Sequence, residues 1–516
     1  MSKSKRVVNT ILMIVILIFT SKIIGFVRDS IIAFRYGHSN IVEAYTGALA
    51  LTANLFMSGG NALLVSMIPI LIRLKKEPEK YKHFLGNTLV LIGILSVILE
   101  VIGYIAAPFL VGIFTKGFTG DKLQMTVSFV RVLNLSCFFI LGTFFLTAFR
   151  QSNEKYTLTS LVSYPYNLIF IIVLLFGFDR MGIYGLVVLT VIGWFLQMVM
   201  LLPGLKKMGF KVSFQRQLFT PEVMEIFKTF VPIVLVTLAS KINILLDNRF
   251  ASMAGDGGVA AIYYANILFI AISTTAVFAV SSVMFPKFNI NLNEGSTEKF
   301  ETTIVNTLMS MVFALSILAV FLFAMSDNAI HIIFERGEFD SVAARSTSDM
   351  LKWYALGMVP MGLLDVTNKS FYTLRNYRVP VFTGAITVGV NLLLMELFTK
   401  NLPPYWIAIT TTIALLVGFC VSLYYLNKEV KINVIKPVVK VALQAVLAMA
   451  VTGSVVMLLN HIHSTSLLQY MIQSVGVGLV GLSAYIGILI VLKEPHVLFI
   501  LNHYILRKRG ENHEKN

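Results

Sequence analysis

Apolar runs of about 18 residues or more recur about fourteen times along this chain, with short polar connections between them. A run of that length crosses the hydrocarbon core of a bilayer as a helix, which satisfies its own backbone hydrogen bonds. Hydrophobic residues make up 57% of the 516 residues and charged residues only 13%, too few to cover a soluble protein. The pattern therefore predicts an all-α polytopic membrane protein. The predicted spans are 8–35, 42–72, 87–114, 123–149, 156–178, 183–205, 224–252, 258–285, 302–333, 346–373, 379–399, 404–427, 437–460 and 467–492.

The connections between the runs alternate in charge. Every second one is rich in Lys or Arg, as at 1–6, 73–83 and 150–155, whereas the intervening ones carry little net positive charge. Because positively charged loops stay on the cytoplasmic side of a membrane, the alternation places both termini in the cytoplasm. It also accounts for the net charge of +16, so no nucleic-acid partner is expected.

Four charged residues lie on or near the first predicted span, namely Lys22, Arg28, Asp29 and Arg35. Each charge costs about 2.5–3.5 kcal/mol at the centre of a membrane helix. These side chains must therefore face water, one another or a charged ligand. On an unbroken helix Lys22 and Asp29 share one stripe, and Arg28 and Arg35 share a second. This stretch is the first candidate for a functional site.

The chain contains an internal repeat, in which matching residues lie 218 positions apart (247 minus 29). The pairs are Asp29 and Asp247, Ala33 and Ala251, Gly37 and Gly255, Ile41 and Val259, and Tyr45 and Tyr263. The separation covers six spans, an even number, so both copies would insert the same way up, as in alternating-access transporters. We therefore predict an N-terminal lobe at 1–217, a C-terminal lobe at 218–432, and two additional helices with a charged cytoplasmic tail at 433–516.

Five motifs carry a resemblance to a known family. They are SKIIGFVRD at 21–29, GHSNIVEAY at 37–45, LDNRFAS at 246–252, GGVAAIYYAN at 257–266 and VMFPKF at 283–288. Together they resemble the MurJ/MviN lipid II flippases of the multidrug/oligosaccharidyl-lipid/polysaccharide exporter superfamily. The resemblance implies that an undecaprenyl-pyrophosphate-linked peptidoglycan precursor, lipid II, is flipped across the bacterial cytoplasmic membrane for cell wall synthesis. It also implies alternating access through a cationic cavity between two lobes, with a groove for the lipid tail on the added spans.

The resemblance assigns Arg28 to the family's cavity arginine in GFVRD and Asp29 to its neighbouring acid. Lys22 stands where the family often has Arg. Two departures reduce the expected positive charge of the cavity. The segment 44–72 contains no Arg or Lys, although the family has a cavity arginine in span 2, and Ile267 replaces an arginine of span 8.

A pyrophosphate ligand needs preorganised cations in a water-accessible cleft of low dielectric, and the fork of an arginine suits it best. The candidate substrate-binding residues are Arg28, Lys22, Lys241, Arg249 and Arg35. Arg28 has the alternative of a structural pair with Asp29 or Asp247, and Arg35 that of extending its charge to the membrane surface.

Acids at equivalent depths in the two halves are candidates for cation coupling, or they neutralise neighbouring cations. These acids are Asp29 and Asp247. The resemblance makes Asp247 a candidate sodium ligand, with Thr387 and Asn391 as partners from span 11. Glu43, at the outer start of span 2, is a candidate gate that closes against a basic residue, or else a solvated helix cap.

The sequence contains no P-loop, HExxH or GxSxG motif, so we expect a transporter without cofactors and not an enzyme. Sodium, protons or the membrane potential would then supply the energy. The expected partners are the lipid-linked glycan and membrane lipids, and the expected state is a monomer. Alternatives are a flippase for another polyprenyl-linked surface polysaccharide or teichoic-type unit, a cation-coupled drug exporter, and a polyprenyl-phosphate-dependent membrane enzyme. The enzyme would need longer outer loops.

Overall fold

The computed structural model describes residues 3–177, 181–213, 217–398, 403–431, 433–460 and 467–492. These residues are mainly helical. The α-helices are α1 (Lys3–Tyr36), α2 (Asn40–Leu51), α3 (Ala53–Leu74), α4 (Pro78–Phe114), α5 (Gly120–Asn134), α6 (Cys137–Ser152), α7 (Thr157–Ser160), α8 (Tyr164–Phe176), α9 (Gly185–Met200), α10 (Pro221–Met253), α11 (Gly258–Asn293), α12 (Thr297–Ala324), α13 (Ser326–Ile333), α14 (Ser341–Leu356), α15 (Met358–Thr373), α16 (Arg378–Phe398), α17 (Trp406–Glu429), α18 (Ile435–Asn460) and α19 (Leu467–Val491). A 3-10 helix spans Lys206–Met208.

Each predicted span coincides with one helix or with two helices in series. Within the described residues, nine helical segments are long and apolar enough to cross a membrane, and Tyr164–Phe176 and Gly185–Met200 are shorter apolar helices. The all-α polytopic class is therefore confirmed. The count of fourteen spans stays a prediction.

Several spans are broken into two helices, which hydropathy alone does not reveal. Between α2 and α3 the hydroxyl of Thr52 donates to the carbonyl of Ala48 at 2.8 Å, in addition to the backbone N–H of Thr52, which donates to the same carbonyl at 3.1 Å. Between α14 and α15 lies Gly357, where an added Cβ would lie 2.8 Å from Oγ1 of Thr412. Small or hydroxyl side chains thus make such breaks possible without changing the apolar character of the span.

The chain divides into two compact units. The first comprises Met1–Tyr263 and Arg336–Asp340, and the second comprises Tyr264–Glu335 and Ser341–Asn516. The first unit includes α10 because this helix packs against α3 and α4. The repeat predicts a lobe boundary at 217–218 instead, and that division by repeat stays a prediction.

Each unit has its own apolar core. In the first unit α3, α4 and α6 bury a cluster that includes Met67, Phe84 and Phe149. In the second unit the two additional helices, α18 and α19, pack on α12 through Val456 and Val477. These cores hold the polar clusters described below in fixed positions, since packed interiors deform little.

Candidate functional site

Arg28 is the centre of a polar cluster on α1 in the first unit. Its Nε and Nη2 donate to Oδ1 of Asp29 at 2.8 and 2.6 Å, and its Nη1 donates to Oδ1 of Asn167 at 3.0 Å. The guanidinium also lies over the rings of Tyr166 and Phe170, 5.1 and 5.8 Å from their centroids. The Arg28 side chain is 16% exposed. It is therefore held mainly by protein groups and is not completely enclosed by them.

The guanidinium of Arg28 retains unused donors. A guanidinium carries five N–H groups, and the bonds to Asp29 and Asn167 use three of them. Among the described residues no partner takes the other two. An arginine in this state can bind the oxygens of a phosphate while its aromatic and carboxylate contacts keep it in place.

Two further contacts fix the cluster. Asn167 on α8 donates to the carbonyl of Ser21 at 3.4 Å, so one side chain joins α8 to α1 at two points, Ser21 and Arg28. The hydroxyl of Tyr263 donates to Oδ1 of Asp29 at 3.2 Å. Sequence reasoning missed Asn167 and Tyr166 as site residues. Their signals are the three polar or aromatic residues Tyr164, Tyr166 and Asn167 at the start of an apolar run, and the weak match of Asn167 to Asn391 in the internal repeat.

The other predicted cations also lie in the first unit. Lys22 is exposed on α1, whereas Arg35 is half-buried near the end of the same helix. Lys241 and Arg249 are half-buried on α10. Nε of Arg249 is buried without a hydrogen-bond partner among the described residues. The structure thus supplies further positive charge in the unit that contains Arg28.

The predicted sodium ligands fall in both units. Asp247 is 5% exposed and belongs to the first unit. Thr387 and Asn391 are buried on α16 in the second unit. The hydroxyl of Thr387 donates to the carbonyl of Thr383 at 2.9 Å, and Asn391 accepts from Thr411 at 3.5 Å. Their role as sodium ligands stays a prediction.

Glu43 forms a second charged cluster in the first unit. Its side chain is fully buried and pairs through Oε2 with Lys122 on α5. Its Oε1 accepts the backbone N–H of Val259, at the start of α11, at 2.9 Å. Lys122 also pairs with Asp256 at 2.9 Å and lies over the ring of Phe118 at 4.6 Å. Both carboxylate oxygens are therefore bonded, and the alternative of a solvated helix cap does not fit.

The segment Arg336–Asp340 of the first unit packs against the end of α1 and the loop that follows it. The N–H of Glu338 donates to the carbonyl of Phe34 at 3.0 Å, and the ring of His38 packs edge-on against Phe339 at 5.0 Å. Gly37 has φ +51°, and an added Cβ there would lie 2.1 Å from the carbonyl oxygen of Glu338. Only glycine fits this position. Burial lowers the pKa of His38 to about 4.

Comparison with known proteins gives concordant matches. The model of the family described as lipid II flippase MurJ matches residues 32–476. A probable lipid II flippase MurJ of Buchnera aphidicola subsp. Baizongia pistaciae is 23% identical over 406 residues, covering 76% of this chain and 79% of that protein. A solved structure of lipid II flippase MurJ in an inward closed conformation matches with a TM-score of 0.78 at 21% identity, covering 93% of this chain and 100% of that one. An inward-facing multidrug resistance transporter of the MATE family matches with a TM-score of 0.68 at 16% identity, covering 79% and 94%.

Proposed function

The chain belongs to the family of lipid II flippases MurJ, whose model matches most of its length, and we propose that it carries lipid II across the cytoplasmic membrane by alternating access. It is a multi-pass membrane transporter of this family and not an enzyme. The observation that carries the proposal is the Arg28 cluster. It presents a positioned guanidinium with two unused N–H groups, the chemistry that a pyrophosphate requires.

In the proposed binding step the pyrophosphate takes the two unused N–H groups of Arg28. Asp29 and Asn167 keep the guanidinium oriented, so little conformational entropy is lost when the ligand binds. Because Asp29 neutralises one positive charge, a pyrophosphate needs further cations. Lys241 and Arg249, half-buried in the same unit, are the proposed contributors, with Lys22 and Arg35 at the ends of the site.

The Glu43 cluster is the proposed outer gate. It joins α2, α5 and the start of α11 at the ends that the charge pattern predicts to be outside. Alternating access requires one side to close while the other opens. A buried ion pair of this kind stabilises one state, because its charges cannot separate without leaving one of them unpaired.

The finer parts of the proposal rest on the sequence. The internal repeat supports two lobes, 1–217 and 218–432, followed by the additional segment 433–516. The charge alternation supports cytoplasmic termini. A proton or sodium gradient, or the membrane potential, would supply the energy, with Asp29, Asp247, Thr387 and Asn391 as coupling candidates. A monomer suffices, since the proposed repeats lie in one chain.

Complementation tests the function. The chain is expressed in bacteria depleted of their own lipid II flippase, and lipid II in the outer leaflet is measured. We expect rescue by the unaltered chain and none by Arg28→Ala at equal membrane levels. Arg131→Ala is the matched control, because this half-buried arginine also lies over a tyrosine ring, that of Tyr104, 4.5 Å from its centroid. Absence of rescue by the inserted, unaltered chain would contradict lipid II as the cargo and favour another polyprenyl-linked glycan.

A further inference from the structure

A further ion pair lies in the second unit, on α15, within the predicted span 346–373. Nζ of Lys369 donates to Oδ2 of Asp365 at 2.7 Å, and the hydroxyl of Ser281 on α11 donates to the same oxygen at 2.7 Å. The two charged side chains are 33% and 27% exposed, Asp365 and Lys369 respectively. The i,i+4 spacing predicts the pair from the sequence, whereas Ser281 is evident only from the structure.

Two acceptor oxygens at this pair remain unused. Among the described residues Oδ1 of Asp365 accepts no hydrogen bond. Oδ1 of Asn368, one turn further on the same face of α15, is buried and has no hydrogen-bond partner there either. A buried acceptor without a partner is unfavourable, so a ligand that satisfies it gains binding free energy. Carboxylate, amide and hydroxyl oxygens are the ligands that small hard cations prefer. Ser281 contacts Asp365 directly, and Asn368 follows Asp365 by three residues on the same helix.

We propose that Asp365, Asn368 and Ser281 form a binding site for a small monovalent cation, either Na⁺ or a proton, for which Lys369 is the internal competitor. The ammonium of Lys369 is a compact point charge on a flexible stem. It neutralises Asp365 when no ion is bound and moves toward solvent when an ion binds. Ion binding itself does not depend on the transported lipid. Use of this ion to drive transport rests on the proposed function.

Another serine, aspartate and lysine of this unit, Ser348, Asp327 and Lys352, also contact one another, but their carboxylate is more exposed. The hydroxyl of Ser348 donates to Oδ1 of Asp327 at 2.6 Å, and Lys352 pairs with Asp327 at 3.0 Å. Lys352 is shared with Asp349 at 3.2 Å, and the side chain of Asp327 is 56% exposed. Water therefore solvates this carboxylate. The triad is a matched control for the chemistry of Ser281, Asp365 and Lys369.

Few other titratable groups surround Asp365. Tyr372 interacts with it electrostatically from the same helix, and α16 begins with the exposed Arg378. Lys352 of α14 pairs with Asp327 and Asp349. The neighbouring α11, α12 and α17 contribute uncharged side chains to α15, namely Ser281, Leu315 and Ser422. The charge at this site therefore depends mainly on Asp365, Lys369 and the bound ion.

Ion binding to the purified full-length protein, without lipid II, tests the proposal. Binding of radioactive Na⁺ and the dependence of thermal stability on Na⁺ are measured at pH 8, and thermal stability is measured from pH 5.5 to 8 without Na⁺. Asp365→Asn should abolish the ion dependence. Lys369→Gln should tighten ion binding about tenfold, because it removes the competitor. Asp327→Asn should leave the ion dependence unchanged.

The two candidate ions give different results. Sodium binding that Asp365→Asn abolishes identifies Na⁺, whereas a pH-dependent stability that it abolishes, without any sodium effect, identifies the proton. If Lys369→Gln weakens ion binding or Asp365→Asn leaves it unchanged, the pair is purely structural and the proposal is overturned. Should Asp365→Asn fail to fold, Asn368→Ala keeps the ion pair and must still weaken ion binding severalfold. Lipid II transport is measured separately, so failure of either proposal is recognised by itself.

Discussion

The first unit contains two charged clusters that differ in how completely their hydrogen-bonding groups are used. Arg28 is 16% exposed and keeps two N–H groups free for a ligand. Glu43 is fully buried, and both of its oxygens are bonded, to Lys122 and to the N–H of Val259. A cluster with free hydrogen-bonding groups, such as that of Arg28, can bind a ligand. A cluster whose groups are all bonded, such as that of Glu43, can only hold its own helices together or release them.

The two clusters should therefore respond differently to mutation, one in ligand binding and the other in the stability of the closed state. Removing a group from the Arg28 cluster should reduce ligand binding more than folding, since solvent can replace the lost contact. Removing Glu43 should destabilise the closed state, because the largely buried Lys122 then loses its buried partner and keeps only the exposed Asp256. The predictions below test whether the two clusters respond in these different ways.

The largest effect on stability is expected from Glu43→Gln. The change leaves Lys122 with only the exposed Asp256, and breaking a buried pair costs about 3–5 kcal/mol. The thermal unfolding of the purified protein should shift to lower temperature, and a cysteine introduced at the outer end of α2 should react faster with an impermeant reagent. Unchanged unfolding and unchanged labelling would show that the cluster holds nothing closed. Glu79→Gln, in an exposed pair with Lys82, is the matched control.

Acid should destabilise the protein through His38, which lies in the loop just before α2, the helix that carries Glu43. The histidine packs closely against Gly257, where an added Cβ would lie 3.0 Å from its Nδ1. Burial lowers the pKa of His38 to about 4 from the ordinary 6.5. The unfolded chain therefore binds a proton at a higher pH than the folded one. Stability should be full above about pH 6.5 and fall progressively toward pH 4, by up to about 3 kcal/mol.

The variant His38→Gln checks this assignment, because it cannot take up the proton. Thermal unfolding measured between pH 7.5 and 4.5 should lose part of its acid dependence in this variant. His331→Gln is the control, since this half-exposed histidine pairs with Glu335 at 2.8 Å. An acid dependence that is equal in the unaltered chain and in His38→Gln would exclude His38 as its origin.

The fold was largely predictable from the sequence, whereas the site was predictable only in part. Apolar length specifies a membrane helix almost by itself, so the helices coincide with the predicted spans. The break at Thr52 was not predictable, because a single hydroxyl that bonds to the backbone one turn earlier hardly changes the hydropathy of the span. The pairing of Arg28 with Asp29 was predictable because the two residues are adjacent.

The partners that come from distant parts of the chain were not predictable. Asn167 contacts Arg28 from 139 positions away, and Lys122 contacts Glu43 from 79 positions away. No periodicity connects such residues, since packing of α8 on α1 and of α5 on α2 brings them together. The sequence predicted a basic partner for Glu43 but could not identify which residue it was.

Asn167→Ala should moderately weaken ligand binding. The change frees one N–H of Arg28 and removes the bond to the carbonyl of Ser21, so the guanidinium is less well positioned. A net loss of about 1 kcal/mol corresponds to roughly fivefold weaker binding of lipid II, measured with the purified protein. The melting temperature should change little. Asn87→Ala is the control, because Asn87 is also a buried amide that donates to a backbone carbonyl, that of Gln217, at 3.0 Å.

The smallest effect is expected from Asp256→Asn, although Asp256 belongs to the Glu43 cluster. The side chain of Asp256 is 91% exposed, and exposed ion pairs contribute only about 0–1 kcal/mol. Lys122 would still be held by Glu43 and by the ring of Phe118. Unfolding of Asp256→Asn should therefore match that of the unaltered chain, while Glu43→Gln is strongly destabilised. Equal destabilisation by both changes would mean that Lys122 needs two acids to stay buried, and the gate would then consist of three charges instead of two.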